Sequence, residues 1–344
     1  MAAAAALALT GCAGGGDSTG GDSTSLNIYA WAGEVSDSMV KEFEEETGIS
    51  VTLDTFDSNE TMIAKLASGG SGYDIVQPSQ YAVQLLIGQQ LIQEIDHDQV
   101  DGMDNLMEKF RDPSFDPGNK YSIPWVWGTT GLLYNEACTG EEITSWKSMF
   151  DEKYKGKIYM LDNMLAAYIV GLQVNGLSAT STSEEDLEIA TQTLIDQKAL
   201  LAGYNSTNYY ELVASGDACM AEAWGGSSVA QAVADNPDVK YVLPEEGGSL
   251  WTDSFAIAAD APNADAAYKW LNFILRPEVA AAATNNDLMA TANAAAAEFI
   301  TDEELLNNPA IFAPEEQLEN SEFIVDPGEA MRFYQDGWTR VKAS

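Results

Sequence analysis

Leu26-Asn-Ile-Tyr-Ala-Trp31 is the stretch from which the fold class follows, because the hydrophobic period changes directly after it. This short apolar and aromatic run predicts a strand. Residues 35–47 then place their apolar side chains on one face, which predicts a helix that ends at Gly48. Ile49-Ser-Val-Thr-Leu53 alternates again and predicts a second strand.

The same order of elements continues along the chain. Asp57-Ser-Asn-Glu60 has the spacing of a capping box and predicts the start of a second helix. Tyr73-Asp-Ile-Val76 predicts a strand, and another helix is expected from Gln80 to about Gln90. A second series contains the predicted strands 131–134, 158–161 and 219–224. This βαβα order predicts a mostly parallel sheet that is covered by helices.

Two further segments, Ile123-Pro-Trp-Val-Trp127 and Leu250-Trp-Thr-Asp253, bracket the second series. They are expected where a chain crosses from one lobe to another and returns. The residues from 26 to 344 are enough for two lobes. We therefore predict an α/β fold with two lobes and a hinge between them. The predicted division is 26–126 plus 251–300 for the first lobe, and 127–250 plus 301–344 for the second.

Several polar and aromatic residues stand where predicted strands end. In open parallel sheets, ligands bind outside the carboxyl ends of the strands. A tryptophan alone is more often part of a core, but three tryptophans and two carboxylates together predict a binding site. The residues at these ends and at the second crossing are Trp31, Ser79, Asp162, Trp224, Trp251 and Asp253.

The N-terminus resembles the signal of a bacterial lipoprotein. An apolar run that is too short to span a bilayer leads into Leu9-Thr-Gly-Cys12, which is the pattern of a lipobox. We expect residues 1–12 to contain the signal peptide and Cys12 to receive the lipid. Residues 13–25 contain Gly, Ser, Thr, Asp and one Ala, so they predict a flexible tether. An ordinary secretory signal with an incidental cysteine is the alternative.

The charge balance limits the classes of partner. Asp and Glu outnumber Lys and Arg by 54 to 16, and the net charge is −38. This charge disfavours nucleic acid and anionic surfaces and attracts cations. It indicates a cationic ligand only weakly, because acidic surfaces also keep proteins soluble in salt.

Cys138 and Cys219 are the cysteines that remain after Cys12. They lie far apart and lack the spacing of a zinc site, so no metal is expected. In an exported protein they form either one disulfide or two buried free thiols.

The sequence lacks the common catalytic motifs. His97 is the single histidine, and it stands in the polar context Ile-Asp-His-Asp-Gln. There is no Gly-x-Ser-x-Gly elbow, no phosphate-binding Gly-Lys-Ser/Thr loop and no dinucleotide-binding glycine motif. We therefore expect a protein that binds its ligand without turnover.

Eight stretches of the chain, in order, resemble the periplasmic spermidine/putrescine-binding proteins. The resemblance implies the type II periplasmic-binding-protein fold, no cofactor, a monomeric extracytoplasmic protein, and delivery of a polyamine to the permease subunits of an ABC transporter. The stretches are Tyr29-Ala-Trp31, Phe56-Asp-Ser-Asn-Glu60, Tyr73-Asp-Ile-Val-Gln-Pro-Ser79, Tyr121-Ser-Ile-Pro-Trp-Val-Trp-Gly128, Thr144-Ser-Trp146, Tyr154-Lys-Gly156, Pro244-Glu-Glu-Gly-Gly-Ser-Leu-Trp-Thr-Asp253 and Leu271-Asn-Phe-Ile-Leu-Arg-Pro277.

The resemblance also assigns roles to residues. Asp253 matches the main ammonium-binding carboxylate of the family, and Ser79 matches a polar position in the first lobe. Aromatic walls suit the methylenes of a polyamine, and carboxylates or ring faces suit its charges. The positions that match the walls of the family's cleft are Trp31, Tyr81, Trp224 and Trp251.

Other positions depart from the family pattern. Asp162 is followed by Asn163 and, three positions later, by Ala166, where the family usually has an acidic pair. Met289 and Ile324 replace aromatic or amide residues, and Glu34 replaces a tyrosine. Glu34 and Glu222 are the candidates to compensate for the lost carboxylates. Because charge is lost at one end, we expect a ligand with fewer cationic centres than spermidine.

Three alternatives stay open. The first is the same fold with another organic amine or an amino-acid derivative as its ligand. The second is iron, because Tyr209-Tyr210 is adjacent as in some iron-binding relatives, although no other ligand set is evident and Tyr210 is expected to open a helix. The third is a carbohydrate-active enzyme, since an aromatic cleft with carboxylates also suits sugars.

Overall fold

The computed structural model describes residues 23–318 and 320–344. The strands within these residues form one mixed sheet, with β2, β1, β3, β9, β4, β7, β5 and β6 in that order. The remaining strands β8 and β10 pair with β4, and β11 pairs with β9. Strands β1 to β11 are Ser25–Trp31, Ser50–Phe56, Ile75–Val76, Ser122–Asn135, Ile158–Met160, Gly203–Tyr204, Met220–Trp224, Val239–Val242, Ser249–Ile257, Ala290–Thr291 and Glu322–Phe323.

Helices cover both faces of this sheet. In the described residues, helices α1 to α14 are Asp37–Thr47, Asn59–Ala67, Gln80–Gly88, Glu108–Arg111, Glu136–Thr139, Met164–Gln173, Glu184–Lys198, Tyr209–Ser215, Ser227–Asp235, Ala264–Ile274, Pro277–Asn285, Glu303–Leu306, Glu315–Leu318 and Met331–Ala343. Short 3₁₀ turns, including one at His97–Gln99, lie between them.

The first half has the predicted βαβα order. β1 lies between β2 and β3 and is parallel to both. β1 begins at Ser25, the last residue of the predicted tether, because Ser25 already pairs with Ser50. α1 ends as predicted at Gly48, whose φ of 70° is left-handed and favours glycine. The N-cap of α2 lies one residue later than the predicted capping box at Asp57 placed it. Ser58 caps the helix, because its side chain accepts a hydrogen bond from Thr61 N at 3.2 Å.

β4 is longer than the sequence pattern predicted. The expected crossing 123–127 and the expected strand 131–134 belong to one strand, in which all 14 residues are buried. Both of its edges pair with other strands, namely β9, β7, β8 and β10. Since successive residues face opposite sides and all of them are buried, both faces of β4 are covered as well. A strand that is buried on both faces lacks the polar alternation that would have revealed its full length.

β4 and β9 are antiparallel neighbours in the middle of the strand order. Their register is irregular between Pro124 and Val126. β1 to β3 extend the sheet at one end, and β5 to β7 extend it at the other. The two α/β lobes are therefore joined by these two strands, and both predicted lobe boundaries, 126/127 and 250/251, fall inside them. α14 returns to pack on α6 and α7 of the second lobe.

A disulfide joins Cys138 to Cys219, with 5.1 Å between their Cα atoms. Cys138 lies in α5, directly after β4, and Cys219 directly precedes β7. Because β4 and β7 are neighbours in the sheet, the bond connects two ends that the strand pairing already brings together.

Candidate functional site

The register of β9, β4 and β7 places four candidate side chains along one face of the sheet. Residues two apart on a strand face the same side, and partners in a pair share a side. From residue 126 to residue 132 of β4, this row extends for about 20 Å along the strand. Its members and their partners on β4 are Asp253 with Val126, Trp251 with Gly128, Trp224 with Thr130 and Glu222 with Leu132.

Asp253 is held at one end of the row. It is 5% exposed, and its Oδ1 accepts a hydrogen bond from Ser79 Oγ at 2.5 Å. The N-terminal position of Ser79 before α3 fixes its side chain beside β9, where residues 79 and 253 also form a backbone bridge. Asn59 donates to Ser79 Oγ and accepts from Ser79 N. The carboxylate of Asp253 is thus positioned by two layers of hydrogen bonds.

Glu34 belongs to the same end of the site. Gln77 Nε2 donates to Glu34 Oε2 at 2.8 Å, and Gln77 Oε1 accepts from Trp31 N at 3.1 Å. One amide therefore fixes both the end of β1 and the carboxyl of the loop that follows it. The carboxyl groups of Glu34 and Asp253 lie within hydrogen-bonding reach of each other.

The two carboxyl groups cannot both ionise easily. Desolvation raises the pKa of Glu34 well above its ordinary range, and the charge of Asp253 raises it further. Desolvation also raises the pKa of Asp253, while hydrogen bonds from Ser79 and Glu34 oppose this increase. The two carboxyl groups therefore favour a state in which they hold one proton between them.

Aromatic side chains border this acidic pair. Trp31 packs against Phe56 with ring centroids 4.7 Å apart. Its indole N–H is buried and has no hydrogen-bond partner of normal geometry among the described residues. Trp31 still lies close enough to Asp253 to help lower the pKa of that carboxyl. Tyr81 Oη donates to Glu60 Oε1 at 3.4 Å, and desolvation raises the pKa of Tyr81.

Trp251 lies flat against β4 at Gly128. A Cβ atom at residue 128 would lie 2.2 Å from Trp251 Cζ2, so any larger residue at 128 would overlap the indole. The indole N–H of Trp251 is buried and has no hydrogen-bond partner among the described residues. Glycine at 128 is therefore what allows this ring to lie against β4.

Trp224 continues the row at the end of β7, and it is half-buried. Its backbone carbonyl accepts a hydrogen bond from Tyr209 Oη at 3.3 Å. The Tyr209 hydroxyl is thus used within the second lobe, and Tyr210 lines a cavity of about 530 Å³ with Gly33 and Asp287. No group of three potential metal ligands occurs in the part of the chain that the structure describes.

The two candidate residues after β5, Asp162 and Asn163, make contacts within the second lobe. Asp162 is exposed, and its Oδ1 lies 2.6 Å from Lys342 Nζ of α14. Asn163 Oδ1 accepts from Ala166 N at 3.0 Å and caps α6. One side chain is therefore paired at the surface, and the other is used to begin a helix.

Glu222 lies at the far end of the row and is 0% exposed. Its Oε2 accepts from Leu161 N at 3.1 Å, and its Oε1 has no partner among the described residues. Desolvation raises the pKa of Glu222 to about 8, and the hydrogen bond from Leu161 only partly opposes this. The carboxyl is consequently protonated and uncharged at neutral pH.

Met289 and Ile324 both lie in apolar surroundings. Met289 is 8% exposed, and a Cβ at Gly226 would lie 3.0 Å from its sulfur. Gly226 has a φ of 121°, so both its backbone and its contact with Met289 favour glycine. Ile324 lines a small cavity with Leu165 and Ile169.

Sequence reasoning missed two residues that organise the acidic end. Gln77 connects Trp31 to Glu34, and Asn59 of α2 makes two hydrogen bonds to Ser79. Both stand inside the stretches 56–60 and 73–79 that carried the family resemblance. Each is a polar residue in one of these stretches, shortly after a predicted strand, and this position could have identified both as candidate site residues.

A family model described as bacterial extracellular solute-binding protein matches residues 38–313. A spermidine/putrescine-binding periplasmic protein of Escherichia coli K12 is 34% identical over 100% of this chain and 97% of its own length. The putrescine-binding periplasmic protein PotF of the same organism is 32% identical over 92% of this chain and 91% of its own.

A solved structure shows the same arrangement of lobes. The spermidine/putrescine ABC transporter substrate-binding protein PotD of Streptococcus pneumoniae is 30% identical, with a TM-score of 0.84. The match covers 93% of this chain and 99% of the PotD chain. At this identity and coverage, the likeness extends through both lobes and the two connecting strands.

Proposed function

We propose a function from two findings. This chain belongs to the family of bacterial extracellular solute-binding proteins, and it is similar to spermidine/putrescine-binding proteins. The protein binds a small organic cation of the polyamine class in the cleft between its lobes. It then delivers this cation to the permease subunits of an ABC importer. The single observation that carries the proposal is the buried Asp253, positioned by Ser79 and bordered by tryptophans.

The chemistry of this end fits an ammonium group. An ammonium group donates three hydrogen bonds, and carboxyl oxygens of Asp253 and Glu34 are available as acceptors. Indole faces attract cations and also pack against methylene groups. We assign Trp31, Ser79, Tyr81, Trp224, Trp251 and Asp253 as ligand-binding residues, with Glu34 as a further contact.

The other end of the cleft supports a ligand with fewer charges than spermidine. Asp162 is paired with Lys342, Asn163 caps α6, and Glu222 is neutral at pH 7. An additional ammonium group would be desolvated there without a charged partner, at a cost of several kcal/mol. We therefore propose putrescine, or an amine with one cationic head and an apolar or amide tail, as the preferred ligand.

The place of action is extracytoplasmic. Among the described residues, no helix has both the length and the apolar character needed to cross a bilayer. Cys12 lies outside the described residues, and we propose that its lipid attaches the protein to the membrane. We also propose that the protein acts as a monomer and by binding and release alone, without catalysis.

Titration calorimetry at fixed salt tests the ligand assignment. Putrescine should bind more tightly than spermidine, and native mass spectrometry of freshly purified protein should reveal a retained amine. Asp253→Asn should weaken binding by roughly a hundredfold, because a desolvated ammonium group loses its charged partner. Trp224→Ala should also weaken binding severely.

Asp336→Asn is the matched control, since Asp336 is exposed on α14 and distant in sequence from the cleft residues. It should bind like the parent. If the Asp253 variant binds within about threefold of the parent, the site lies elsewhere. Tightest binding of spermidine would contradict the argument from lost charge.

A further inference from the structure

We infer that Glu34 and Asp253 form a two-carboxyl subsite that holds one proton when empty and exchanges it for the ammonium group of the ligand. This inference rests on the proposed function, because it concerns the same end of the same cleft. It makes Glu34 a specificity-determining residue for cations.

The geometry keeps the two carboxyl groups together. Glu34 is held by Gln77, which is itself fixed to the backbone of Trp31. Asp253 is held by Ser79 from the opposite side. Neither carboxyl can easily turn away, since each is attached to a different element and both point into the same desolvated space.

Among the described residues, no positively charged side chain contributes to the pKa shifts of Glu34 and Asp253. Tyr81 of α3 is a further titratable group near Asp253, and burial keeps it neutral. Tyr81 in turn contacts Glu60 of α2. The remaining contacts come from β1, the loop before α3 and the N-terminus of α3, through Trp31, Gln77 and Ser79, none of which is charged. An empty site therefore reaches its lowest free energy with one shared proton.

A cationic ligand reverses this preference. An ammonium group that contacts both carboxyl groups stabilises the doubly ionised pair, because opposite charges within about 4–6 Å favour ionisation. The balanced step converts R–NH₃⁺, Glu34 COOH and Asp253 COO⁻ into a complex of R–NH₃⁺ with two carboxylates, plus one H⁺ in solvent. No bond to carbon is formed or broken.

Proton release is measurable directly. Putrescine should be titrated calorimetrically near pH 6.5 in buffers of low and high ionisation enthalpy, such as phosphate and Tris. The difference in apparent enthalpy should correspond to release approaching one proton per ligand. Over the pH range in which the empty pair retains its proton, affinity should rise by up to tenfold per pH unit, as linkage requires for one proton.

Two variants test whether the released proton depends on Glu34. Glu34→Gln should keep the fold and strongly reduce both the release and the pH dependence, leaving only the part that comes from the raised pKa of Asp253. Glu60→Gln should leave both intact. If Glu34→Gln no longer binds, infrared difference spectra still decide. Addition of putrescine to the parent should remove the C=O absorbance of one protonated carboxyl, while the absorbance of the protonated Glu222 is unchanged and cancels in the difference. The same negative band should appear when the spectrum of the ligand-free parent is subtracted from that of the ligand-free Glu34→Gln variant.

The outcomes separate this inference from the proposed function. Tight putrescine binding without proton release would overturn the exchange and leave the proposed function standing, with Glu34 a neutral hydrogen-bond donor to Asp253. Release that persists undiminished in Glu34→Gln would also overturn it. If no amine binds at all, the proposed function itself fails.

Discussion

Glu222→Gln should remove a pH-dependent cost that Glu222 imposes on folding. The carboxyl is fully buried, and its folded pKa is about 8 against an ordinary value of 4.5. Below pH 4.5 the group is protonated in both the folded and the unfolded chain, so it costs nothing. As the pH rises, the unfolded chain ionises and the folded protein does not, and the cost grows until the pH passes the folded pKa.

The size of this cost follows from the linkage of protonation to folding. At about 1.4 kcal/mol per pH unit, the cost is about 3 kcal/mol at pH 7 and approaches about 5 kcal/mol above pH 8. Glutamine keeps the acceptor for Leu161 N and does not titrate. The stability of the variant relative to the parent should therefore increase by about 3 kcal/mol between pH 5 and pH 8.

Urea unfolding of both proteins across this pH range measures the difference. Because every other titrating group is common to the two proteins, the difference isolates Glu222. Glu329→Gln, at an exposed position, should show no such trend. A difference between the Glu222 variant and the parent that stays constant with pH would refute the reasoning and indicate that Glu222 reaches solvent or a cation in solution.

Two further predictions concern the covalent features. The double variant Cys138→Ser, Cys219→Ser should lose about 4 kcal/mol of unfolding free energy, because the bond closes a loop with a sequence separation of 81; peptide mapping that finds both thiols free in exported protein would contradict it. Expression of the full chain in a bacterial host should give a membrane-associated protein, and Cys12→Ala should move it to the soluble fraction; identical fractionation of the two would exclude lipid attachment.

The alternation of strands and helices was sufficient to predict the two-lobed α/β fold. The first strand, α1 and its end at Gly48 follow from local patterns, because period and capping are encoded within a few residues. The full length of β4 does not follow. A strand that is buried on every side has no polar period, so neither end of it is marked by a change of pattern.

The acidic end of the site was partly predictable and the other end was not. Strand ends indicated Ser79 and Asp253, which the structure brings into contact. Strand ends also indicated Asp162, but its partner Lys342 is 180 residues away on the last helix. Likewise, nothing local shows that Glu222 faces the N–H of Leu161. Such pairings depend on tertiary packing, which local sequence does not specify.

The contact between Trp251 and Gly128 constrains the order in which this cleft can change through evolution. Any side chain at residue 128 would overlap the indole while Trp251 is present. A lineage that acquires a smaller residue at 251 can later accept alanine or serine at 128, whereas the reverse order passes through an overpacked intermediate. Once residue 128 has gained a side chain, the tryptophan cannot return by a single substitution. The wall of the cleft is therefore easier to lose than to regain.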